Sequence, residues 1–170
     1  MKTLNNYIVE HLEYSTFPIT ERLHITKQTR GYSCQPKNVK ELRKILENRL
    51  AEDKNADLND IDISNIKYFY NSDTSTGLFE GLDPHNIDIS LWDVSNVEDM
   101  SFMFDGCENF NCNLSDWDVS NVEDMQYMFN NCKKFKGKGL DKWDPVNCTD
   151  MYGMFTGCTV INNSPKWYKQ

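Results

Sequence analysis

The chain has 170 residues, of which 39% are hydrophobic and 12% aromatic, with a formal net charge of −8. That apolar content suits a folded core and excludes a disordered polymer, and the length suits one domain with a small cap. The negative balance excludes a broad nucleic-acid-binding face, because phosphate contacts need clustered Lys and Arg; it leaves plain solubility or a basic partner.

Residues 1–57 differ in pattern from the rest of the chain. The start, MKTLNNYIVEHLEY, has no uninterrupted apolar run, so neither a secretory signal nor a membrane span is expected. A cytoplasmic location is expected instead. Leu4, Tyr7, Ile8, His11 and Leu12 suit one side of an amphipathic helix. The stretch FPITERLHITKQTRGYSC is loop-like, with a short strand predicted at RLHIT, and residues 15–36 are the irregular part of this region. The spacing then predicts a helix over VKELRKILENRLAE, with Val39, Leu42, Ile45, Leu46 and Leu50 as its apolar stripe. Asn38 and Glu41 offer its N-cap and the N3 partner. The region 1–57 thus reads as a helical N-terminal cap with an irregular segment.

Residues 58–170 repeat. The run WDVSNVEDM occurs at 92–100 and again at 117–125, and Trp92, Trp117, Trp143 and Trp167 lie 25, 26 and 24 residues apart. One copy runs Ile89, Trp92, Val94, Asn96, Met100, Phe104, Cys107. The next runs Leu114, Trp117, Val119, Asn121, Met125, Phe129, Cys132, and a third runs Leu140, Trp143, Pro145, Asn147, Met151, Phe155, Cys158. A degenerate copy precedes them, with Leu58, Ile61, Ile63, Asn65 and Phe69 on the template and Ile61 in the Trp place. An insertion near NSDTST restores the phase at Leu78 and Phe79. The units fall near 58–88, 89–113, 114–139 and 140–163, with a worn end at 164–170 where Ser164 takes the Leu slot.

Leu114, Trp117 and Val119 have the spacing of a leucine-rich-repeat strand. Alternation puts Trp117 and Val119 inward and Asp118 outward. Val122, Met125 and Phe129 then suggest one helical face, with Ser120 and Glu123, or Ser95 and Glu98, as a capping box. The fold class expected is α/β: a short leucine-rich-repeat-like solenoid of about four strand-turn-helix coils with a helical N-terminal cap. The Asn at 65, 96, 121 and 147 falls after each strand, where its amide can bond turn backbone of the adjacent copy or line a ligand row.

The motif Trp-Asp-Val-Ser-Asn-Val-x-Asp-Met-x-x-Met-Phe-x-x-Cys at 92–107 and 117–132 closely resembles the BspA-like repeat family of unknown function, also called the Mycoplasma lipoprotein repeat. The likeness runs over about residues 37–167 and includes the PKNVKELRKIL lead-in. It implies a leucine-rich-repeat-like solenoid and a binding module. Surface members of that family carry signal or lipoprotein sequences; with none visible here, a free-standing intracellular or phage-encoded binder is the expectation.

The chemistry-bearing residues divide between core and surface. Trp92, Trp117 and Trp143 could be a stacking platform for sugar or peptide, but their phase places them in the core with Phe104, Phe129 and Phe155. Cys107, Cys132 and Cys158 share one repeat position and read as a reduced, buried column; Cys148 and Cys112 take apolar slots, and Cys34 lies outside the array. Thiols in a line do not converge on an ion, so no metal is expected. The outward Asp62, Asp93, Asp118 and Asp144 would lie about 5 Å apart in stacked strands, and like charges so placed need Asx-turn bonds, a cation or a basic partner. With Asp116, and with Glu98, Asp99, Glu123 and Asp124 nearby, they are the candidate partner-binding row. His11, His24 and His85 are scattered, and no Gly-rich phosphate loop, G-x-S-x-G or H-E-x-x-H occurs. No catalytic residue and no cofactor is therefore assigned. The expected function is a non-enzymatic protein-protein interaction module using the acidic strand face or the N-terminal irregular segment, with no membrane or direct nucleic-acid contact. The alternative is a small acidic inhibitor, phage-encoded, of a host defence nuclease or other nucleic-acid-binding protein.

Overall fold

The computed structural model describes residues 31–168. The chain divides into two compact units, Met1–Tyr32 and Ser33–Gln170, and the second holds the cap helix and all the repeats. The helix expected near the start, the strand at RLHIT and most of the segment 15–36 lie outside the described residues.

Helix α1 spans Val39–Glu52. Asn38, in extended conformation, caps it by accepting from the amide of Glu41 (3.0 Å), while the Glu41 carboxylate accepts from Lys37 N at 3.0 Å. The first bond satisfies a donor that the first helical turn leaves open, and the second ties the residue before the cap to that turn. Leu42, Leu46 and Leu50 are buried, with Val39 and Ile45 packed at the margin of the core. Arg43 then pins the helix: its guanidinium donates to the carbonyls of Gly77 (2.7 Å), Leu78 (3.1 Å) and Glu80 (2.8 Å). The first two of these acceptors lie in or beside a hairpin made by β1, Tyr70–Asn71, and β2, Thr76–Gly77. The hairpin holds the inserted residues. Their Asn, Ser, Asp and Thr content favours the turn, and the Asn71 side chain accepts from Asp73 N at 3.1 Å. Gly77 has no freedom to be another residue, because a Cβ there would lie 1.8 Å from the carbonyl oxygen of Phe102.

The repeats overturn the expected fold class. Among the described residues, the α/β leucine-rich-repeat-like solenoid of about four strand-turn-helix coils does not form: α1 is the one α-helix, the sheet is the two-stranded antiparallel hairpin, and the repeats add only short 3-10 helices at Leu140–Lys142 and Thr159–Asn163. The reason lies in where the amides donate. Met125, Tyr127, Phe129 and Asn131 give their N–H groups to Asp150, Tyr152, Met154 and Thr156 of the following copy, at 2.7–2.9 Å. Met100, Phe102, Phe104 and Gly106 donate in the same way to Asp124, Gln126, Met128 and Asn130, each at 2.9 Å. Between them, Met128, Asn130 and Cys132 close tight turns to the carbonyl three residues back. An α-helix needs those donors for itself. The capping box also fails: Glu123 N goes to Glu98 O at 2.8 Å, and Ser120 N to the Asp118 carboxylate.

Copies nevertheless meet in register. Isolated parallel bridges join Tyr68 to Asp99, Asp99 to Asp124 and Asp124 to Asp150. The buried side has matching columns. Phe79, Phe104, Phe129 and Phe155 stack with centroids 5.1, 5.5 and 5.7 Å apart. The indoles of Trp92, Trp117, Trp143 and Trp167 donate to the carbonyls of Leu58, Ile89, Leu114 and Leu140 at 2.6–3.1 Å. Trp92, Trp117 and Trp143 thus fill the core and satisfy a buried carbonyl of the preceding copy, and Trp167 repeats the bond half-buried at the last one.

Candidate functional site

The predicted acidic row is occupied locally. The carboxylates of Asp62, Asp93 and Asp118 accept from the amides of Ser64, Ser95 and Ser120 at 3.0, 3.2 and 3.0 Å. These are Asx turns, in which a side chain replaces a backbone acceptor. Asp62 also accepts from Gln35 Nε2 at 2.8 Å, and Asp116 from Ser115 Oγ at 3.1 Å. Asp144 and Asp118 are exposed, and the other three are half-buried.

A different carboxylate column is drawn together by the bridges: Asp99, Asp124 and Asp150. Each accepts from the amide two residues on, Ser101, Gln126 and Tyr152, at 2.7, 2.8 and 2.9 Å. Partial burial, the backbone bond notwithstanding, pushes the Asp124 carboxyl above its ordinary range, and the like charges of Asp99 and Asp150 push it the same way. Glu98 extends the column with the opposite shift, held below its usual range by hydrogen bonds from Lys67 (2.5 Å) and Tyr68 (2.9 Å).

Beside that column runs a row of surface rings. Tyr70 and Phe102 have centroids 5.7 Å apart, Phe102 and Tyr127 stack at 5.1 Å, and Tyr127 meets Tyr152 edge-on at 5.4 Å. Tyr152 is 69% exposed and Tyr68, at the edge, 51%. The Tyr127 hydroxyl is pushed up by desolvation, by the neighbouring Tyr152 hydroxyl and by the charges of Asp105 and Asp150. At the Tyr70 end a cleft of about 620 Å³ opens, bordered by Tyr68, Tyr70, Asp73 and Asp99, with Lys40 paired to Asp73 and Lys67 to Glu98. Sequence reasoning missed the rings, because it followed the Trp, Met, Phe and Cys positions of the template and not the position of Phe102 and Tyr127. The signal was their shared repeat position. Both residues sit in the left-handed region, φ 55° and 51°, where the third copy has Gly153 at 66°. A Cβ on Gly153 would strike the Tyr127 ring at 2.4 Å.

The repeated Asn and Cys side chains serve structure. The Asn121 and Asn147 amides donate to Ser95 and Ser120 carbonyls of the preceding copy, both at 2.7 Å. The thiols of Cys107 and Cys132 donate to Phe79 and Phe104 carbonyls at 3.3 and 3.1 Å, and Cys158 lies 3.9 Å from that of Phe135. Burial pushes all three thiols up, and those of Cys112 and Cys148 to about 11. A thiol so raised is a poor nucleophile at neutral pH. Among the described residues all six cysteines are free, and no group of His, Cys, Asp and Glu is placed to hold a metal ion. No described helix is long and apolar enough to cross a membrane.

The match that decides kinship covers residues 40–168, where the chain fits the family described as Mycoplasma protein of unknown function, DUF285. The chain belongs to that family. No curated protein and no solved structure matches it. The DUF285 match takes in nearly all of α1, the hairpin, the Trp and Phe columns, and the whole ring-and-carboxylate face.

Proposed function

We propose that this chain is a non-enzymatic interaction module that takes a basic segment of a partner protein on its ring-and-carboxylate face. One observation carries the reading: the row Tyr70, Phe102, Tyr127 and Tyr152 lies alongside Asp99, Asp124 and Asp150. Arg and Lys side chains favour both surfaces, stacking on ring faces and pairing with carboxylates. The backbone supports the same reading. Bulky residues in the left-handed region cost about 1–2 kcal/mol each, so Phe102 and Tyr127 hold a place that glycine would fill more comfortably. Asp93, Asp118 and the other Asx-turn carboxylates add to the negative field around the face. The repeated Trp-Asp-Val-Ser-Asn-Val-x-Asp-Met motif supports counting the chain, within this proposal, among the BspA-like members.

Titration of the full chain with an Arg-rich peptide, followed by calorimetry, tests this. Saturable binding is expected, weakening with salt. The double variant Tyr127→Ala with Tyr152→Ala should lose about tenfold or more in affinity. Reversal of Asp93 and Asp118 to Lys should mainly change the salt dependence. Binding that ignores loss of the rings, or no binding, would sink the proposal. If the native partner is a nuclease that the chain blocks at its nucleic-acid groove, the inhibitor reading is the specific form it takes.

A further inference from the structure

In the copy at 114–139, around the buried Phe135, the otherwise acidic chain carries a run of lysines. We propose that the groove bordered by His85, Asn109, Asn111, Lys133, Lys134 and Lys136 binds a small phosphate monoester. The groove measures about 420 Å³, within the range of small-molecule sites.

The sequence KKFKGK builds it. Phe135 is buried in the aromatic core, so Lys134 and Lys136 on either side of it are both turned to the surface. Their backbones are fixed against the preceding copy, Lys134 N to Glu108 O at 3.0 Å and Lys136 N to Asn111 Oδ1 at 3.3 Å. Because the Asn111 oxygen is taken, its amide N–H groups are the part left for a ligand. The Asn111 backbone is itself held by His85 O at 3.1 Å. Nearby acids are accounted for. Glu108 pairs with Lys133 at 2.5 Å, and Asp83 accepts from Asn109 at 2.9 Å and lies 3.7 Å from His85 Nε2. Lys134 and Lys136 have no ion-pair partner among the described residues.

Two uncommitted ammonium groups set the ligand class. A phosphate monoester carries roughly −1.5 to −2 at neutral pH and three acceptor oxygens, which matches both lysines. A monocarboxylate would leave one lysine unmatched. Lysine serves as a point-charge binder of phosphate, and the Asn amides suit hydroxyl groups on the ester's carbon part.

The test is an amide-shift titration of the full chain with glucose 6-phosphate at constant ionic strength, with glucose as control. Saturable shifts confined to residues around 85, 109–111 and 133–138 are expected with the phosphate and none with glucose. Lys134→Gln with Lys136→Gln should weaken binding about tenfold or more. Glu108→Gln, which frees Lys133, should strengthen it, and Tyr152→Ala should leave it unchanged. No saturation, equal shifts with glucose, an unaffected double lysine variant, or response only to a long polyanion such as polyphosphate would each overturn the proposal. Its residues are separate from the ring row, so either site can fail without the other.

Discussion

In α1, Leu42, Leu46 and Leu50 are buried on one side, and the cap amide of Asp53 turns back to Arg49 O at 2.9 Å. In residues 122–129, Val122, Met125 and Phe129 are buried at similar spacing, yet the amides of Met125, Tyr127 and Phe129 leave for the next copy. Both segments show the periodicity of three to four that a helix shows. Repeated turns closed to the third residue back produce it as well. The difference is self-sufficiency: α1 bonds itself, and a repeat needs its neighbour. A local pattern cannot tell the two apart, since it records which side is apolar and not who accepts the hydrogen bond.

The strongest blow to that contrast is Trp117→Ala. It removes a buried indole that stacks on Trp143 at 6.2 Å and donates to Ile89 O. A loss of about 4 kcal/mol is expected by urea unfolding, from cavity and broken contact together. A loss under about 1 kcal/mol would mean that neighbouring copies are not coupled through this column. Arg43→Ala strikes the place where the helix does depend on the rest. Three carbonyls lose a charged donor, and about 2–3 kcal/mol should go with it.

A pair of glycine substitutions separates the two backbones by sign. Lys44→Gly, on the exposed face of α1, should cost about 1 kcal/mol. Asn131→Gly, at φ 58° in a repeat turn, should be neutral or stabilising by up to about 1 kcal/mol. Equal losses at both would show that the turns are helix-like in solution.

The smallest effect is Asp124→Asn. The amide keeps an acceptor for Gln126 N and removes the repulsion with Asp99 and Asp150. Folded Asp124 holds its proton more tightly than the unfolded chain does, so its charge opposes folding above the raised pKa and not below the ordinary carboxylate range. The variant should therefore gain about 0.5 kcal/mol near neutral pH, a value discounted for solvent screening. That gain should shrink to nothing as pH falls through the window between those two values. A constant gain across pH would place its origin elsewhere.

Of the candidate face, part was legible beforehand. The Asp residues after Trp92 and Trp117 could be read as Asx-turn formers, because a short carboxylate followed by Ser or Asn has few other uses. Asp99 and Asp124 were named beside the acidic row, but their column with Asp150 and the four rings were not legible. Their meeting depends on which residue of one copy opposes which of the next, and on left-handed φ values at Phe102 and Tyr127 that a helical reading does not contain.

What the residues dictate on their own is whatever rests on local chemistry: a capped amphipathic helix at Val39–Glu52, a repeat phased on tryptophan, and apolar columns that must be covered. Whether the segments after each Trp became helices or turns was decided by tertiary structure alone. A neighbouring copy in register offered carbonyls to every second amide, and a segment so paired has no N–H left to close a helix.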